Sequence, residues 1–332
     1  MDLFRRVCYW FVVGCGTLLI LITALSLLRT SHWYLEILKF PRLPTLFALV
    51  ICGILTILLC HKKQLIFMVF IGCLFLAIFL QAWIIYPYMP FAQKTVKSAD
   101  ARMVNSGSDI AILVANVLMS NRNADQLVEI IKGKNPDLIL TMEVNRWWVD
   151  QLSMLDKNYP YRLMFPTDNT YGMTLYSKHP LSDSKVFFLN NKNVPSFSCI
   201  VTLANGKWFR LITVHPVAPK PSEHPDNMGE KENGLLKAAH LVAGQKIPTL
   251  VAGDFNDVSW SYNTKKFAGI SNLNDVRCGR GMYNTFDAQS DFMKWPLDYV
   301  FVSNEFSVIE LERLPAFGSD HYPFYAKLAL LP

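Results

Sequence analysis

The sequence predicts two parts with different folds, a helical membrane anchor and an α+β domain of packed sheets with helices outside. Three observations predict this division. Residues 1–97 hold three long apolar segments, residues 110–332 contain many short strand-like runs with few helices, and neither a GxGxxG nor a P-loop motif is present. Regular alternation of strands and helices would instead indicate a doubly wound sheet.

Composition divides the chain in the same way. Hydrophobic residues make up 52% of the chain and charged residues only 17%, a balance skewed toward membrane proteins. Residues 1–97 hold nine of the 32 basic and two of the 26 acidic residues, which leaves 23 basic and 24 acidic residues in 98–332. The second part therefore lacks the excess positive charge that holds a long polyanion, although local basic patches stay open.

The three apolar segments, residues 7–28, 43–60 and 65–86, are each long enough to span a bilayer, which takes about 20 apolar residues. A cleaved signal peptide is the rival interpretation of the first segment. Its apolar core is too long for one, and two further segments follow. No charged residue lies in the middle of a span, which favours an anchor over a transporter.

Basic residues in short loops predict the orientation of the spans. The Arg5/Arg6 pair and the Lys62/Lys63 pair fall on one side if all three segments cross, and that side should be cytoplasmic. Three basic residues on the opposite side weigh against this: Arg29, Lys39 and Arg42. We expect an integral, multi-pass protein of a bacterial inner membrane whose second part faces the periplasm.

Seven cysteines are present, and five of them lie in or beside the apolar segments. Only Cys199 and Cys278 fall in the second part, and no CxxC or Cys/His cluster suggests zinc. Whether these two thiols meet stays open, and we expect that stability does not need a disulfide between them.

Residues 98–109 are polar and small and read as a linker, and the domain follows over 110–332. The periodicity predicts strands at residues 110–117, 137–142, 159–165, 173–177, 184–189, 197–203, 208–214, 249–252, 297–302 and 322–330, with helices at 123–133, 145–155 and 230–243. Residues 215–227 contain four prolines and read as a long loop.

Polar residues stand where the predicted strands end or begin. They are Asn116, Glu143, His215, Asp254, Asn256, Asp298 and the adjacent pair Asp320 and His321. Carboxylate and amide oxygens suit Mg²⁺ or a phosphate-bound water. Taken singly, most of these residues have an ordinary explanation as turn or helix-terminal residues.

Taken in order, the same residues closely resemble the motifs of the endonuclease/exonuclease/phosphatase superfamily. The matching stretches are Asn116, Leu-Thr-Met-Glu ending at Glu143, Thr-Val-His-Pro around His215, Gly-Asp-Phe-Asn at 253–256, Leu-Asp-Tyr-Val-Phe-Val-Ser around Asp298, and Ser-Asp-His-Tyr-Pro around His321. That superfamily includes pancreatic deoxyribonuclease, abasic-site endonucleases, bacterial sphingomyelinases and inositol polyphosphate phosphatases. The resemblance covers residues 110–332 and implies a four-layer α/β sandwich with its site at the sheet ends.

The resemblance also implies a metal site. Glu143, with Asn116 nearby and Asp320, would hold Mg²⁺ or Mn²⁺ against a phosphate oxygen. Many nuclease members carry Asp or Asn two residues after the first Asn, whereas this chain has Leu118 there. A second metal or a substrate contact is then missing or supplied by Asn121.

Acid–base roles follow from the same resemblance. His321 would act on the attacking water or contact phosphate, and Asp320 would orient it. The other residues would position the nucleophile and phosphate or complete the electrostatic set, with Asp298 acting through a second histidine: His215, Asp254, Asn256 and Asp298. Which residue is the general base stays open, and Tyr171 is a candidate catalytic tyrosine by proximity.

The expected function is that of a membrane-anchored, metal-dependent phosphoesterase acting on a phosphodiester or phosphomonoester. Nucleic acid and a lipid or small-molecule headgroup are both open as substrates, and the near-neutral domain and the tether favour the latter. The expected partners are the lipid bilayer and the substrate, with no obligate protein partner. The alternative is an inactive family member that binds a partner or lipid without hydrolysis.

Overall fold

A computed structural model describes residues 3–30, 32–59, 65–100, 107–189, 192–217 and 234–331. The chain divides into two compact units, Met1–Met89 and Pro90–Pro332. The two are described separately below.

The first unit is helical. Its helices are α1 (Leu3–Leu25), α2 (Trp33–Glu36), α3 (Arg42–Leu59) and α4 (Leu65–Ile85), with short 3-10 turns at Ile37–Lys39 and Tyr86–Tyr88. Three of its helical segments are long and apolar enough to cross a membrane: Leu3–Leu25, Arg42–Leu59 and Leu65–Tyr88. The three apolar segments predicted from the sequence are therefore helical.

A polar cluster is buried inside this helical unit. Arg42 donates from Nη1 to Gln81 Oε1 at 2.9 Å and from Nη2 to the Ser26 carbonyl at 3.2 Å. Gln81 in turn donates to Thr23 Oγ1 at 3.0 Å. These bonds join α1, α3 and α4, because buried polar groups are satisfied by one another where water is excluded.

The second unit contains two six-stranded sheets. The strands are β1 (Asp109–Asn116), β2 (Leu138–Met142), β3 (Tyr161–Phe165), β4 (Met173–Ser177), β5 (Leu181–Phe188), β6 (Pro195–Thr202), β7 (Trp208–Thr213), β8 (Thr249–Asp254), β9 (Asn274–Asp275), β10 (Asp298–Val302), β11 (Phe306–Arg313) and β12 (Phe324–Leu330). Their orders are β11-β12-β1-β2-β4-β3 and β5-β6-β7-β8-β10-β9. Most neighbours are antiparallel, but β1 pairs with β2 and β7 with β8 in parallel.

Four helices cover the outer faces of the sheets: α5 (Ala124–Lys134), α6 (Arg146–Leu152), α7 (Gly234–Ala243) and α8 (Tyr262–Ser271). Alternate residues of β1 show why both faces are buried. Ile112 and Val114 join the core between the two sheets, whereas Leu113 and Ala115 join a second core with α5 and α6. A third core lies under α7 and α8. The predicted four-layer α/β sandwich is confirmed.

Several elements differ from the sequence prediction. Helix α8 and strands β9 and β11 were not predicted, and β11 carries a bulge between Val308 and Glu310 that interrupts its alternation. Helix α8 shows only a weak apolar stripe, although Ser261 caps it by accepting from the Thr264 backbone N–H. Residues 230–233 of the predicted third helix lie outside the described residues.

Part of the polar segment ahead of β1 packs against the second unit. The Val308 N–H donates to the Lys97 carbonyl and the Ala99 N–H donates to the Val308 carbonyl, each at 2.8 Å. Val96 is 4% exposed within the core between the sheets. The chain before β1 therefore extends the first sheet at the edge formed by β11.

Both cysteines of the second unit carry free thiols. Cys199 is buried on β6 and Cys278 is partly buried after β9. Burial raises the pKa of each thiol to about 12. Such thiols stay protonated and unreactive near neutral pH.

Candidate active site

The predicted polar residues lie together at one end of the two sheets, because the strands that carry them begin or end there. Asn116 ends β1, and Glu143 directly follows β2, which runs parallel to β1. Asp254 ends β8 and lies opposite Asp298, the first residue of β10. His321 lies three residues ahead of β12, which pairs antiparallel with β1.

A buried acid–imidazole group forms the inner side of the site. His321 Nδ1 lies 2.8 Å from Asp298 Oδ2, and His321 Nε2 lies 3.6 Å from Asp254 Oδ2. All three side chains are almost completely inaccessible to solvent. Burial lowers the pKa of His321, but the carboxylates of Asp298 and Asp254 outweigh it and raise that pKa to about 10. The imidazole is therefore held in its charged form between two acids.

Asp320 does not hold the imidazole as the sequence suggested. Its carboxylate accepts a hydrogen bond from Ser319 Oγ at 3.3 Å, and its carbonyl accepts from the Ala288 N–H at 2.7 Å. The carboxylate that hydrogen-bonds the His321 ring is that of Asp298, which contacts His321 itself rather than a second histidine.

Asn116 and Glu143 form the outer side of the site. Asn116 Nδ2 donates to Glu143 Oε1 at 2.9 Å and lies 3.2 Å from Asp254 Oδ2, while its Oδ1 accepts from the Leu118 N–H at 3.0 Å. Burial raises the pKa of Glu143 to about 6; the Asn116 hydrogen bond opposes the rise, and Asp320 and Asp254 add to it. Asn116 thus links the outer acid to the inner one.

The crowding of acids indicates where a cation fits. Burial raises the pKa values of Glu143, Asp254 and Asp320. The negative charge of Asp254 adds to the rise for Glu143 and Asp320. A divalent cation beside Glu143 and Asp320 would remove this repulsion, and carboxylate oxygens are the ligands that Mg²⁺ prefers. The donor set on the outer side therefore fits the metal that the resemblance implies.

A second group also has ligand geometry. One ligand atom from each of Asp254, Asp298 and His321 lies within 4.8 Å of the others. Here, however, Asp298 and His321 already satisfy one another through a 2.8 Å hydrogen bond. This bond holds the His321 ring between the two acids, an arrangement that suits proton and charge control.

Backbone geometry fixes Asp254. A Cβ at Gly253 would lie 1.9 Å from the Val214 carbonyl oxygen, so only glycine permits β8 to approach the end of β7 this closely. The Asn256 N–H donates to Asp254 Oδ1 at 2.8 Å, which leaves Oδ2 facing Asn116 and the histidines.

Asn256 does not project alongside Asp254 as an extended chain would require. Its φ is +52°, because β8 ends at Asp254, and its side chain donates to the Pro216 carbonyl at 2.9 Å. The Asn256 amide thereby holds the chain next to His215. Asn256 lies at the site and also supports its structure.

His215 is buried beside Asp254, with Nε2 3.8 Å from Asp254 Oδ2. Burial lowers its pKa, so the imidazole is neutral. Its Nδ1 has no hydrogen-bond partner among the residues that the structure describes. The Tyr171 ring lies 5.4 Å from the His215 ring, which brings the candidate tyrosine to the site.

Asn121 does not take the role that Leu118 leaves open. Its amide donates to the carbonyls of Val117 and Phe317, each at 3.3 Å, and its side chain is buried. Leu118 adopts a φ of +55°, and its backbone N–H supports Asn116. Asn121 therefore ties two loops together, and its Oδ1 accepts from the Asn123 N–H at 3.0 Å.

Thr285 and Phe286 are site residues that sequence reasoning missed. Thr285 Oγ1 accepts from the N–H groups of Leu297 and Asp298 at 3.3 and 3.1 Å, which fixes the start of β10. The Phe286 ring lies 5.0 Å from the His321 ring and covers it. Both lie in a loop without periodicity, so no local pattern indicated them.

Comparisons with known proteins agree with this geometry. Residues 113–321, which contain every predicted site residue, match the Endonuclease/Exonuclease/phosphatase family. No curated protein sequence matches the chain.

Solved structures share the fold at low identity. The human Nocturnin catalytic domain with bound sulfate is 19% identical over 67% of this chain and 95% of its own, with a TM-score of 0.53. D. rerio TDP2 with a single-strand DNA product is 14% identical over 67% and 99%, with a TM-score of 0.52. The endonuclease/exonuclease/phosphatase from Bacteroides vulgatus is 20% identical over 67% and 99%, with a TM-score of 0.53. With the ordered site residues inside the matched range, the chain belongs to the Endonuclease/Exonuclease/phosphatase family.

Proposed function

We propose that this chain is a membrane-anchored, Mg²⁺- or Mn²⁺-dependent phosphoesterase. One observation carries the proposal: His321 is buried between Asp298 and Asp254, and Asn116 connects that group to the outer acid Glu143. Hydrolysis of a phosphoester needs a positioned water, an acceptor for its proton, and positive charge at the non-bridging oxygens. The site holds a residue for each requirement.

The charge states divide the work among the inner residues. Asp298 fixes the orientation of the charged His321 ring through Nδ1, so the Nε2–H lies on the Asp254 side of the ring. A cationic imidazole stabilises negative charge on a phosphate oxygen rather than removing a proton. Asp254, whose pKa burial raises, is then the acceptor for the proton of the attacking water.

The outer residues would hold the metal. Glu143 and Asp320 would supply carboxylate oxygens, with Asn116 beside them. A bound Mg²⁺ would neutralise charge on the phosphate and leaving oxygens. Asn116 keeps Glu143 within reach of the inner acid through its two contacts.

Hydrolysis of bis(p-nitrophenyl) phosphate by the full chain in detergent tests this proposal. We expect turnover with Mg²⁺ and a loss of about 10²–10⁴-fold in Asp254→Ala, because that variant lacks the proton acceptor. Asp183→Ala is the matched control, since Asp183 pairs with Arg210 and Lys185 on the β5 side of the second sheet. Turnover that survives Asp254→Ala, or no turnover by the unaltered chain on this substrate or on the natural classes named below, would contradict the proposal.

The first unit supports the anchoring and orientation. Arg5 Nη2 donates to the Leu58 carbonyl at 2.8 Å, so the N-terminal end of α1 and the last turn of α3 share one end of the bundle. Lys39 forms a buried ion pair with Glu36, and Arg42 is buried against Gln81. Because Lys39 and Arg42 are paired and buried, they count less against the proposal that the end of the bundle with Arg5 is cytoplasmic.

A reporter fused after the last residue tests the orientation. Alkaline phosphatase activity is expected, because three spans in the proposed orientation would put the second unit outside the cytoplasm. Green fluorescence without phosphatase activity would place that unit inside and reopen intracellular substrates.

The near-neutral charge of residues 98–332 favours a lipid headgroup or small phosphoester over a long nucleic acid. Parallel assays of the full chain on sphingomyelin and phosphoinositide vesicles and on plasmid DNA test this choice. Faster turnover of plasmid DNA than of every vesicle would reverse it.

A further inference from the structure

A fully buried arginine lies behind the proposed catalytic residues. Arg277 follows β9 and has 0% exposure. Its Nε and Nη2 both bond the carboxylate of Asp275, at 3.1 and 2.9 Å, and its backbone N–H bonds the same carboxylate at 3.0 Å. A bidentate pair fixes the plane of the guanidinium group as well as its position.

This guanidinium contacts the loop that follows Asp254. Arg277 Nη2 donates to Ser259 Oγ at 2.9 Å. Ser259 lies between Asp254 and helix α8, within the loop that also contains Asn256. Arg277 therefore reaches the segment whose conformation fixes the Asp254 carboxylate.

The same guanidinium contacts the strand that begins with Asp298. Arg277 Cζ lies 3.9 Å from the centre of the Tyr299 ring, and Tyr299 OH donates to the Asp257 carbonyl at 2.8 Å. The other face of Tyr299 is not free either, because Phe255 stacks on that ring at 4.5 Å. One buried cation thus supports both elements that carry the inner acids.

A segment ahead of β1 packs against the residues around Arg277. We call residues 92–99 the juxtamembrane strap. Thr95 Oγ1 donates to the Asp275 carbonyl at 3.3 Å, and Arg280 Nη2 donates to the Val96 carbonyl at 2.7 Å. A Cβ at Gly279 would lie 2.7 Å from three backbone atoms of residues 92–94, so the strap is in close contact with the segment around Arg277.

We propose that Arg277 is a positioning residue that sets the loop of residues 254–259 and the start of β10, and that the juxtamembrane strap holds Arg277 and Asp275 in place. The proposal rests on the proposed phosphoesterase function. It makes the segment leading from the apolar helices part of the catalytic machinery, so a chain cut at residue 110 would lose this support.

Hydrogen exchange in Arg277→Lys tests the first half without needing turnover. Lysine keeps the charge but lacks the forked group that bonds Asp275 and Ser259 together. We expect amide exchange across residues 254–261 to rise at least about tenfold. Arg210→Lys is the matched control, because Arg210 also bonds an aspartate and a serine, Asp183 and Ser198, on the far strands of the same sheet. Unchanged exchange in folded Arg277→Lys would overturn the proposal.

Turnover supplies the second readout. In Arg277→Lys we expect kcat on bis(p-nitrophenyl) phosphate to fall about 10–100-fold with KM within about threefold, because misplacement of catalytic groups acts on the chemical step. Ser259→Ala, which removes a single contact, should lower kcat less and add little in the double variant. A raised KM with an unchanged kcat would contradict a positioning role. So would fully additive losses of kcat in the double variant. No turnover by the unaltered chain would contradict the proposed function, while the exchange test would still decide the positioning.

Gly279→Ala tests the strap in the full chain, because the added Cβ meets the strap backbone. Gly206→Ala is its control, since Gly206 has a similar φ of +83° with no atom within 4 Å of an added Cβ. We expect Gly279→Ala alone to speed tryptic cleavage after Lys97 and to raise exchange across residues 254–261. Faster cleavage with unchanged exchange would overturn the role of the strap.

Discussion

The inner and outer sides of the site differ in how firmly their charges are fixed. On the inner side, Asp254, Asp298 and His321 are buried and bonded to one another. On the outer side, Glu143 and Asp320 are only partly buried, and their pKa values are raised chiefly by burial, with a smaller contribution from the neighbouring acid Asp254. The inner acids pair directly with the His321 imidazole, whereas Glu143 and Asp320 feel its charge only at longer range.

This difference teaches which task each side can perform. A group that is already paired needs no reorganisation when charge develops in the transition state, so the inner side is suited to proton and charge control. A partly open group of acids is suited to receive a cation together with its phosphate. Substitutions on the two sides should therefore change different kinetic quantities.

Replacing His321 with alanine should have the largest effect. It removes the only cation that the structure shows between the two inner acids, and we expect a loss of about 10³–10⁴-fold in kcat. A thermal melt establishes that the variant is folded, and a phosphodiester assay gives the rate. Near-full turnover by folded His321→Ala would show that the inner side is not catalytic.

Asp298→Asn and Asp320→Asn form a matched pair, because each replaces one carboxylate by an amide, the first on the inner side and the second on the outer side. We expect about 10²–10³-fold loss in kcat for Asp298→Asn, since the amide no longer fixes the charged imidazole. Asp320→Asn should act mainly on the Mg²⁺ concentration needed for activity. The reverse pattern, measured by kcat at saturating Mg²⁺, would restore Asp320 as the orienting acid.

Glu143→Gln should raise the Mg²⁺ concentration for half-maximal activity by about 10–100-fold, because a neutral amide is a weaker ligand than a carboxylate. Activity titrated against Mg²⁺ measures the shift, with Glu129→Gln on α5 as the control. A lowered kcat with an unchanged Mg²⁺ requirement would remove Glu143 from the metal site.

Leu118→Asn should have the smallest effect. The backbone N–H of Leu118, not its side chain, supports Asn116, so we expect turnover to change by less than about threefold. Asparagine tolerates the φ of +55° better than leucine, and we expect about 0.5 kcal/mol of added stability in a denaturant titration. A large gain in turnover would mean that the outer side lacks a polar ligand at this position.

The sequence predicted the strand ends and most site residues because apolar runs stop where the polar residues begin. It could not predict the pairing of Asp298 with His321, since that contact joins the start of β10 in one sheet to the segment before β12 in the other, and depends on how the two sheets pack. The adjacent Asp320 looked like the natural partner. Thr285 and Arg277 were also missed, because a loop threonine and a lone arginine carry no periodic signal.

The juxtamembrane strap shows the same limit. Residues 92–97 fall in the part predicted as the anchor and residues 98 and 99 in the predicted linker, yet Val96 reaches the core between the sheets. Its contacts with Asp275 and Arg280 join segments about 180 residues apart in the chain. Amino-acid composition indicates local backbone preference and does not predict such long-range packing.

Calorimetric titration of Mg²⁺ into three forms of the full chain tests the division between the two sides most directly. The unaltered chain and His321→Ala should both bind Mg²⁺, and Glu143→Gln should bind it at least about tenfold more weakly. Binding lost in His321→Ala but kept in Glu143→Gln would place the metal among Asp254, Asp298 and His321 and contradict the account.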